Sequence, residues 1–278
     1  MDYGKISKEE LGKGSPIRLE ILDTEDDIYH DMAREMIVEI KKNNSVGKNT
    51  VFIVPVGPVG QYRRFARTCN LEHIDCKNVY MFNMDEYLTD DQKLISYDNP
   101  LSFRSFMDRE LYFRMDEDIN IPKSNRFFPD PKNLDFTWDK IQELGGIDVA
   151  FGGIGINGHI AFNEPPEPGE VVDNEEFRNR KTRILKLSRE TRTINSVTVA
   201  FGNIDEIPEW CITIGMKEIL SARKIRFYLN RIWQGGIVRK VLHGPVTAHV
   251  PASFFQQHYN AKLIIASYVA ECPRVQPR

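Results

Sequence analysis

No stretch of the chain approaches the roughly 18 consecutive apolar residues that a membrane-crossing helix needs. Nor is there a basic excess. The 37 Lys and Arg are outnumbered by 40 Asp and Glu, a net charge of −3. Nucleic acid and membrane surfaces select for a basic face, so neither is expected as a partner. Cysteine is scarce: Cys69, Cys76, Cys211 and Cys272 are the only four, and none forms a CxxC pair. That spacing suits neither a zinc site nor a disulfide framework, so no metal site is expected. Scattered thiols of this kind belong in a reducing compartment. The first residues, MDYGKISKEELGKGSP, are polar and lack the apolar core of a signal peptide. The expectation is a cytoplasmic protein. Repeats, low-complexity tracts and an obvious interdomain linker are also missing, which favours a polar extension over residues 1–16 and one domain over residues 17–278.

What is present is an alternation of short apolar runs and longer amphipathic ones. Strands are expected at Ile17–Leu22, Val51–Val56, Val79–Asn83, Ile147–Phe151, Val197–Phe201, Lys224–Leu229 and Lys262–Ala266. A helix capped by Asp23 or Thr24 is expected to run to about Lys42, with Ile28, Met32, Met36, Ile37 and Ile40 on one face. Further helices are expected from Gln61 to Cys69, Asn99 to Phe113, Leu134 to Leu144, Met216 to Ala222 and Gln234 to Leu242. Strands that are apolar throughout, rather than alternating, imply an α/β fold: a mainly parallel sheet with helices on both faces.

The strand ending at Phe151 runs into GGIGINGHIAFNEP, Gly152 to Pro165. Gly153, Gly155 and Gly158 fit GxGxxG, but three prolines within ten residues of His159 do not open the helix that a dinucleotide site needs. NAD and FAD are therefore not expected. A histidine and a carboxylate, His159 and Glu164, after a parallel-type strand and among glycines make an acid–base pair. Asp85 also follows a strand end, in FNMDEY. As a cap it would be unremarked; as a base it would face the same sheet edge as His159. The loop Val56-Gly57-Pro58-Val59-Gly60 joins a strand to a helix but has no Ser, Thr or Lys to hold a phosphate. Between Pro165 and Arg192 an acidic half precedes a basic half, which reads as a solvated surface or as a lid over about residues 165–192.

These residues together resemble the glucosamine-6-phosphate deaminase (isomerase) family. The resemblance rests on FNMDEY at Phe82–Tyr87, NPLSFRSFM at Asn99–Met107, GGIGINGHIAFNEP at Gly152–Pro165, TRTINS at Thr191–Ser196 and CITIGMKEIL at Cys211–Leu220. It covers roughly residues 17–268, and HIAFNEP is its most specific part; the related 6-phosphogluconolactonases continue differently after the histidine. It implies a Rossmann-like domain and an aldose–ketose isomerisation with loss of ammonia, needing no cofactor. The resemblance makes Asp85 the group that moves the proton between C2 and C1, and His159 the group that serves ring opening. Glu164 and the residue at 157 orient that histidine. It further implies a homo-oligomer, trimer or hexamer, acting on a small-molecule amino sugar or sugar phosphate.

The departures lie in the pocket. The family aspartate two residues before the histidine is Asn157 here, which can orient His159 but brings it no charge. The family's phosphate loop is replaced by Val56–Gly60, the arginine after its NS pair by Val197, and its later lysine has no counterpart in Leu229–Gln234, where Arg231 stands at a shifted position. Expected substrate-binding residues are Val56, Gly57, Pro58, Gly60, Gly155, Arg183 and Trp233. A sugar lactone hydrolase on the same fold, or a sugar-binding regulator without turnover, stay open beside the deaminase reading.

Overall fold

The structure is a computed structural model and describes residues 2–273. Met1 of the expected extension and residues 274–278 of the expected domain lie outside the described residues. In chain order the elements are β1 (Arg18–Leu22), α1 (Glu25–Asn44), β2 (Thr50–Val54), α2 (Gln61–Glu72), β3 (Val79–Asn83), β4 (Asp85–Leu88), α3 (Phe103–Glu110) and β5 (Arg126–Phe127). Then come α4 (Phe136–Glu143), β6 (Val149–Gly152), α5 (Asn174–Arg178), β7 (Arg183–Lys186), α6 (Arg189–Val199) and β8 (Trp210–Thr213). The chain continues with α7 (Met216–Leu220), β9 (Lys224–Leu229), α8 (Gly235–His243), β10 (Ala261–Ala266) and α9 (Ser267–Ala270).

Seven strands form one sheet in the order β1-β10-β9-β6-β2-β3-β5, and every neighbouring pair is parallel. The α/β expectation therefore holds, with the helices around this sheet. All five residues of β2 are buried, as the uninterrupted apolar run requires. Thr24 caps α1 by accepting from the Asp27 N–H at 3.2 Å, while the Asp27 carboxylate accepts from the Thr24 N–H at 3.0 Å. Ile28, Met32, Met36, Ile37 and Ile40 are all buried from that helix, as their spacing demands.

From β2 the chain steps outward to β3 and β5, then returns to β6 and steps the other way to β9 and β10. The connections after β2 and β6 thus diverge, leaving a crevice at the carboxyl ends of the central strands. Beside it stands a second sheet, β4-β8-β7, antiparallel throughout. The chain changes sheet at Met84. Its N–H donates to Val54 O at 3.0 Å, and its carbonyl accepts from Ile214 N at 2.7 Å. Asp85 is the first residue past that junction.

One expectation is revised. Residues 197–201 are not a strand; Val197 and Val199 end α6. Ser188 caps the helix by accepting from the Thr191 N–H at 3.2 Å, and both valines are exposed. The charged stretch 165–192 carries α5, β7 and the first turn of α6, and its acidic half, Glu167, Glu170, Asp173, Glu175 and Glu176, is exposed. The polar N-terminal residues are packed onto the domain. The wholly buried Arg239 donates to Ile6 O at 2.8 Å, Gly235 O at 2.7 Å and Ala270 O at 2.7 Å, and Leu11 is buried nearby in sequence.

Candidate active site

The crevice holds a cavity of about 390 Å³. Four strand ends supply its wall. The loop after β2 brings Val56, Gly57 and Pro58; the β3–β4 junction brings Met84 and Asp85; the glycine-rich loop after β6 brings Gly155 and His159; the turn after β9 brings Asn230, Arg231 and Trp233. Tyr87, Phe103 and Phe162 add an aromatic side, with Tyr87 and Phe103 ring centroids 5.0 Å apart. Asp85 and His159, 74 positions apart in the sequence, thus open onto one space.

His159 is held from behind. Its Nδ1 lies 2.8 Å from Asn157 Oδ1. An amide oxygen only accepts, so the neutral ring carries its proton on Nδ1. The Asn157 amide nitrogen then faces the other way and donates to Glu164 Oε2 at 2.8 Å. Glu164 Oε2 also lies 3.4 Å from His159 Nδ1, near enough to stabilise a proton gained by the ring. The Ser188 hydroxyl donates to Glu164 Oε2 at 3.1 Å, and the Thr191 hydroxyl stands 3.1 Å from Nδ1. All these contacts fall on Nδ1, leaving Nε2 as the nitrogen with a free lone pair. Burial pushes the Glu164 carboxyl up. His159, Asn157 and Thr191 outweigh burial and take it down to about 2, so this carboxylate stays ionised.

The loop geometry needs its glycines. A Cβ on Gly155 would sit 2.0 Å from His159 Cε1, so only glycine leaves room for the ring. Gly158 has a φ of +92°, in the left-handed region that glycine favours. Gly155 N–H donates to His159 O at 3.0 Å and closes the loop. Asn163 ties it to β8, donating to Ile160 O at 2.9 Å and to Ile214 O at 2.8 Å.

Asp85 is in the opposite state. It is buried, and no hydrogen bond holds its carboxylate among the described residues. Burial, and then the adjacent Glu86 carboxylate, hold its pKa well above the usual range. Glu86 is itself fully buried but well satisfied. It accepts from Ser102 Oγ at 3.2 Å, Phe103 N at 3.1 Å, and both Arg104 N and Arg104 Nε at 3.1 Å. It thereby fixes the start of α3, whose Phe103 and Phe106 line the cavity. Of two neighbouring carboxylates, Glu86 is thus held by four donors, while Asp85, with its raised pKa, opens onto the cavity.

Among the expected substrate-binding residues, Val56, Gly57, Pro58, Gly155 and Trp233 line the cavity. Gly60 does not. It precedes α2 and packs on Tyr29, whose ring would be 2.3 Å from a Cβ there. Arg183 does not reach the cavity either. Its Nη1 donates to Asn163 Oδ1 at 2.6 Å, bracing the histidine loop from behind, and burial followed by the nearby Arg180 lowers its pKa to about 10. Ser188, Thr191, Glu86, and the Asn195–Tyr87 hydrogen bond of 3.0 Å were not singled out in the sequence. Ser188 is an N-cap residue type, and reading it as a helix start would have placed both hydroxyls in the first turn of α6.

No family model matches the chain. It is 33% identical over 241 residues to glucosamine-6-phosphate deaminase of Clostridium perfringens (strain SM101 / Type A), covering 84% of this chain and 90% of that one. It is 31% identical over 245 residues to glucosamine-6-phosphate deaminase of Thermoanaerobacter sp. (strain X514), covering 85% and 89%. Among solved structures it is similar to a monomeric glucosamine-6-phosphate deaminase, with a TM-score of 0.76 at 26% identity over 91% of this chain and 99% of that one. A 6-phosphogluconolactonase from Thermotoga maritima matches at a TM-score of 0.62 and 14% identity, over 90% and 100%, a likeness of fold alone.

Proposed function

The chain belongs to the glucosamine-6-phosphate deaminase family, and we propose that it isomerises and deaminates an amino sugar, nominally glucosamine-6-phosphate, to fructose-6-phosphate and ammonia. The observation that carries this reading is the pairing, across one cavity, of an oriented imidazole with a carboxylate of raised proton affinity. In the first step His159 Nε2 takes the proton of the C1 hydroxyl and returns it to the ring oxygen as the C1–O5 bond breaks. The Asn157–Glu164 relay steadies the ring while it holds the extra proton. Asp85, ionised, then removes the C2 proton of the open chain, and the electron pair moves through C1–C2 to the aldehyde oxygen. The enediol-like intermediate takes the proton back from Asp85 at C1. This leaves a C2 imine, which water hydrolyses to the ketone with release of ammonia. Each group acts first as base and then as acid within one turnover.

The proposal extends to a cytoplasmic homo-oligomer. Four unpaired thiols fit a reducing compartment, and among the described residues no helix is long and apolar enough to cross a membrane. The similar solved deaminase is monomeric, so sedimentation of this chain decides its assembly. The activity test is ammonia and ketose formation from glucosamine-6-phosphate and from glucosamine, with Asp85→Asn and His159→Ala as controls. No ammonia from either sugar, together with His159-dependent hydrolysis of a sugar lactone, would replace the deaminase reading with the lactonase one.

A further inference from the structure

Asn157 gives His159 a fixed partner but brings it no charge. A second path from the ring to Glu164 runs through α6. Thr191 is wholly buried, with Oγ1 3.1 Å from His159 Nδ1. The neutral ring carries its proton on Nδ1, so Thr191 meets it as an acceptor, and its own hydroxyl proton is left for another partner. Ser188 Oγ stands 3.1 Å away, and the Ser188 hydroxyl in turn donates to Glu164 Oε2 at 3.1 Å. The order of donation is Nδ1–H to Thr191, Thr191 to Ser188 and Ser188 to the carboxylate. Hydroxyls lined up in this way polarise one another in a buried site, so the chain brings the negative charge of Glu164 to the ring.

The start of α6 holds both hydroxyls in place. Ser188 is its cap and accepts from the Thr191 N–H at 3.2 Å. One turn further, Asn195 lies on the same face of the helix as Thr191 and donates from Nδ2 to the Tyr87 hydroxyl at 3.0 Å. Asn195 and Tyr87 both line the cavity, and Tyr87 stands two residues beyond Asp85. The rotation of α6 is thus fixed at two points, one beside His159 and one near Asp85. Thr191 itself does not line the cavity, so it can act on a bound sugar only through the imidazole.

We propose that Thr191 is a positioning residue of the ring-opening step. Its hydroxyl holds His159 Nδ1 and, through Ser188, supplies the imidazole with the Glu164 charge that the neutral Asn157 does not carry. The inference rests on the deaminase reading for the reaction, but its spectroscopic arm needs no turnover. Thr191→Val keeps the shape of the side chain and removes the hydroxyl; Thr191→Ser keeps the hydroxyl. For both variants and the unmodified chain, kcat and KM are measured with glucosamine-6-phosphate. The Nδ1-bound proton of His159 is followed by NMR in protein labelled with ¹⁵N-histidine and assigned against His159→Ala. Thr191→Val should lower kcat by about 10- to 100-fold, the scale of one hydrogen bond to a group that becomes charged, with little change in KM. Its Nδ1 proton should move upfield and exchange faster with solvent. Thr191→Ser should recover most of the rate and the original resonance. An undiminished kcat in Thr191→Val overturns the proposal, as does a loss that Thr191→Ser fails to recover or an Nδ1 proton that does not move. A resonance that moves in Thr191→Val and returns in Thr191→Ser, without ammonia release by the unmodified protein, would support Thr191 as the partner of His159 while removing the deaminase reading.

Discussion

Asn157 stands between His159 and Glu164, its oxygen 2.8 Å from the imidazole Nδ1 and its nitrogen 2.8 Å from the carboxylate. One neutral side chain thus satisfies an obligate donor on one side and an obligate acceptor on the other. An aspartate here, as the family resemblance would have had it, could serve only the first. Asn157→Asp would replace the Glu164 donor by a second carboxylate at hydrogen-bond distance, and two such groups cannot both stay ionised unless His159 is protonated. The acid limb of kcat/KM should therefore move to higher pH in the variant, with activity recovering above it. Superimposable pH profiles for the two proteins would count against the relay.

Glu164 should leave a mark on stability as well. Its folded pKa of about 2 lies below the ordinary value of 4.5. The sign follows: the unfolded chain binds the proton first, so the stabilisation is complete above about pH 4.5 and is lost as pH falls toward 2. Its size is on the order of 3 kcal/mol. Glu164→Gln has no such carboxyl to titrate. In urea denaturation, the stability difference between wild type and this variant should be largest near pH 7 and shrink on acidification. A difference that stays constant down to pH 3 would sink this account.

Asp85 predicts the reverse. Its folded pKa is raised by burial and by Glu86. Such a group favours the folded state when protonated, and its contribution is lost as pH rises through the folded pKa. Asp85→Asn keeps the shape and never ionises. At pH 7 it should be more stable than wild type by about 1–3 kcal/mol, the usual cost of an unsatisfied buried polar group. The gain should close near pH 4. The same change should lower kcat by about 100-fold or more, the scale of lost acid–base catalysis. A variant both inactive and less stable at pH 7 would mean that Asp85 is a structural residue.

The legible parts of the sequence were those governed by local rules. The β2 run Thr50–Val54 is apolar throughout because both faces of a central parallel strand are covered. The α1 start could be placed because Thr24 and Asp27 form a capping box within four residues. His159 and Glu164 could be paired because they share one loop. The antiparallel sheet was not legible: β4, β7 and β8 are four residues each, and their partners lie far along the chain. Asp85 begins one of those strands, so FNMDEY marked the residue without revealing that the chain changes sheet there. Val197–Phe201 has the same root: a short apolar stretch is locally compatible with a strand, but the Ser188 cap starts a helix eleven residues long that takes in Val197 and Val199. Arg183 was expected among the ligand-binding residues; its side-chain partner, Asn163 Oδ1, is brought to it only in three dimensions.

Gly155 offers the sharpest separation of site from scaffold. It lines the cavity and makes an ordinary loop hydrogen bond through its backbone, which alanine would keep. The Cβ of alanine would fall 2.0 Å from His159 Cε1 and 2.1 Å from Nε2, so the ring has to swing away from its Asn157 partner. A displacement of about 1 Å at a reacting nitrogen costs on the order of 100-fold in rate. Gly155→Ala should therefore lose activity on that scale, with most of the loss in kcat, while its circular dichroism and melting temperature stay close to wild type. Because His159 cannot keep its place beside a Cβ at that position, turnover undiminished by the substitution would show that the imidazole does not act from the orientation seen here.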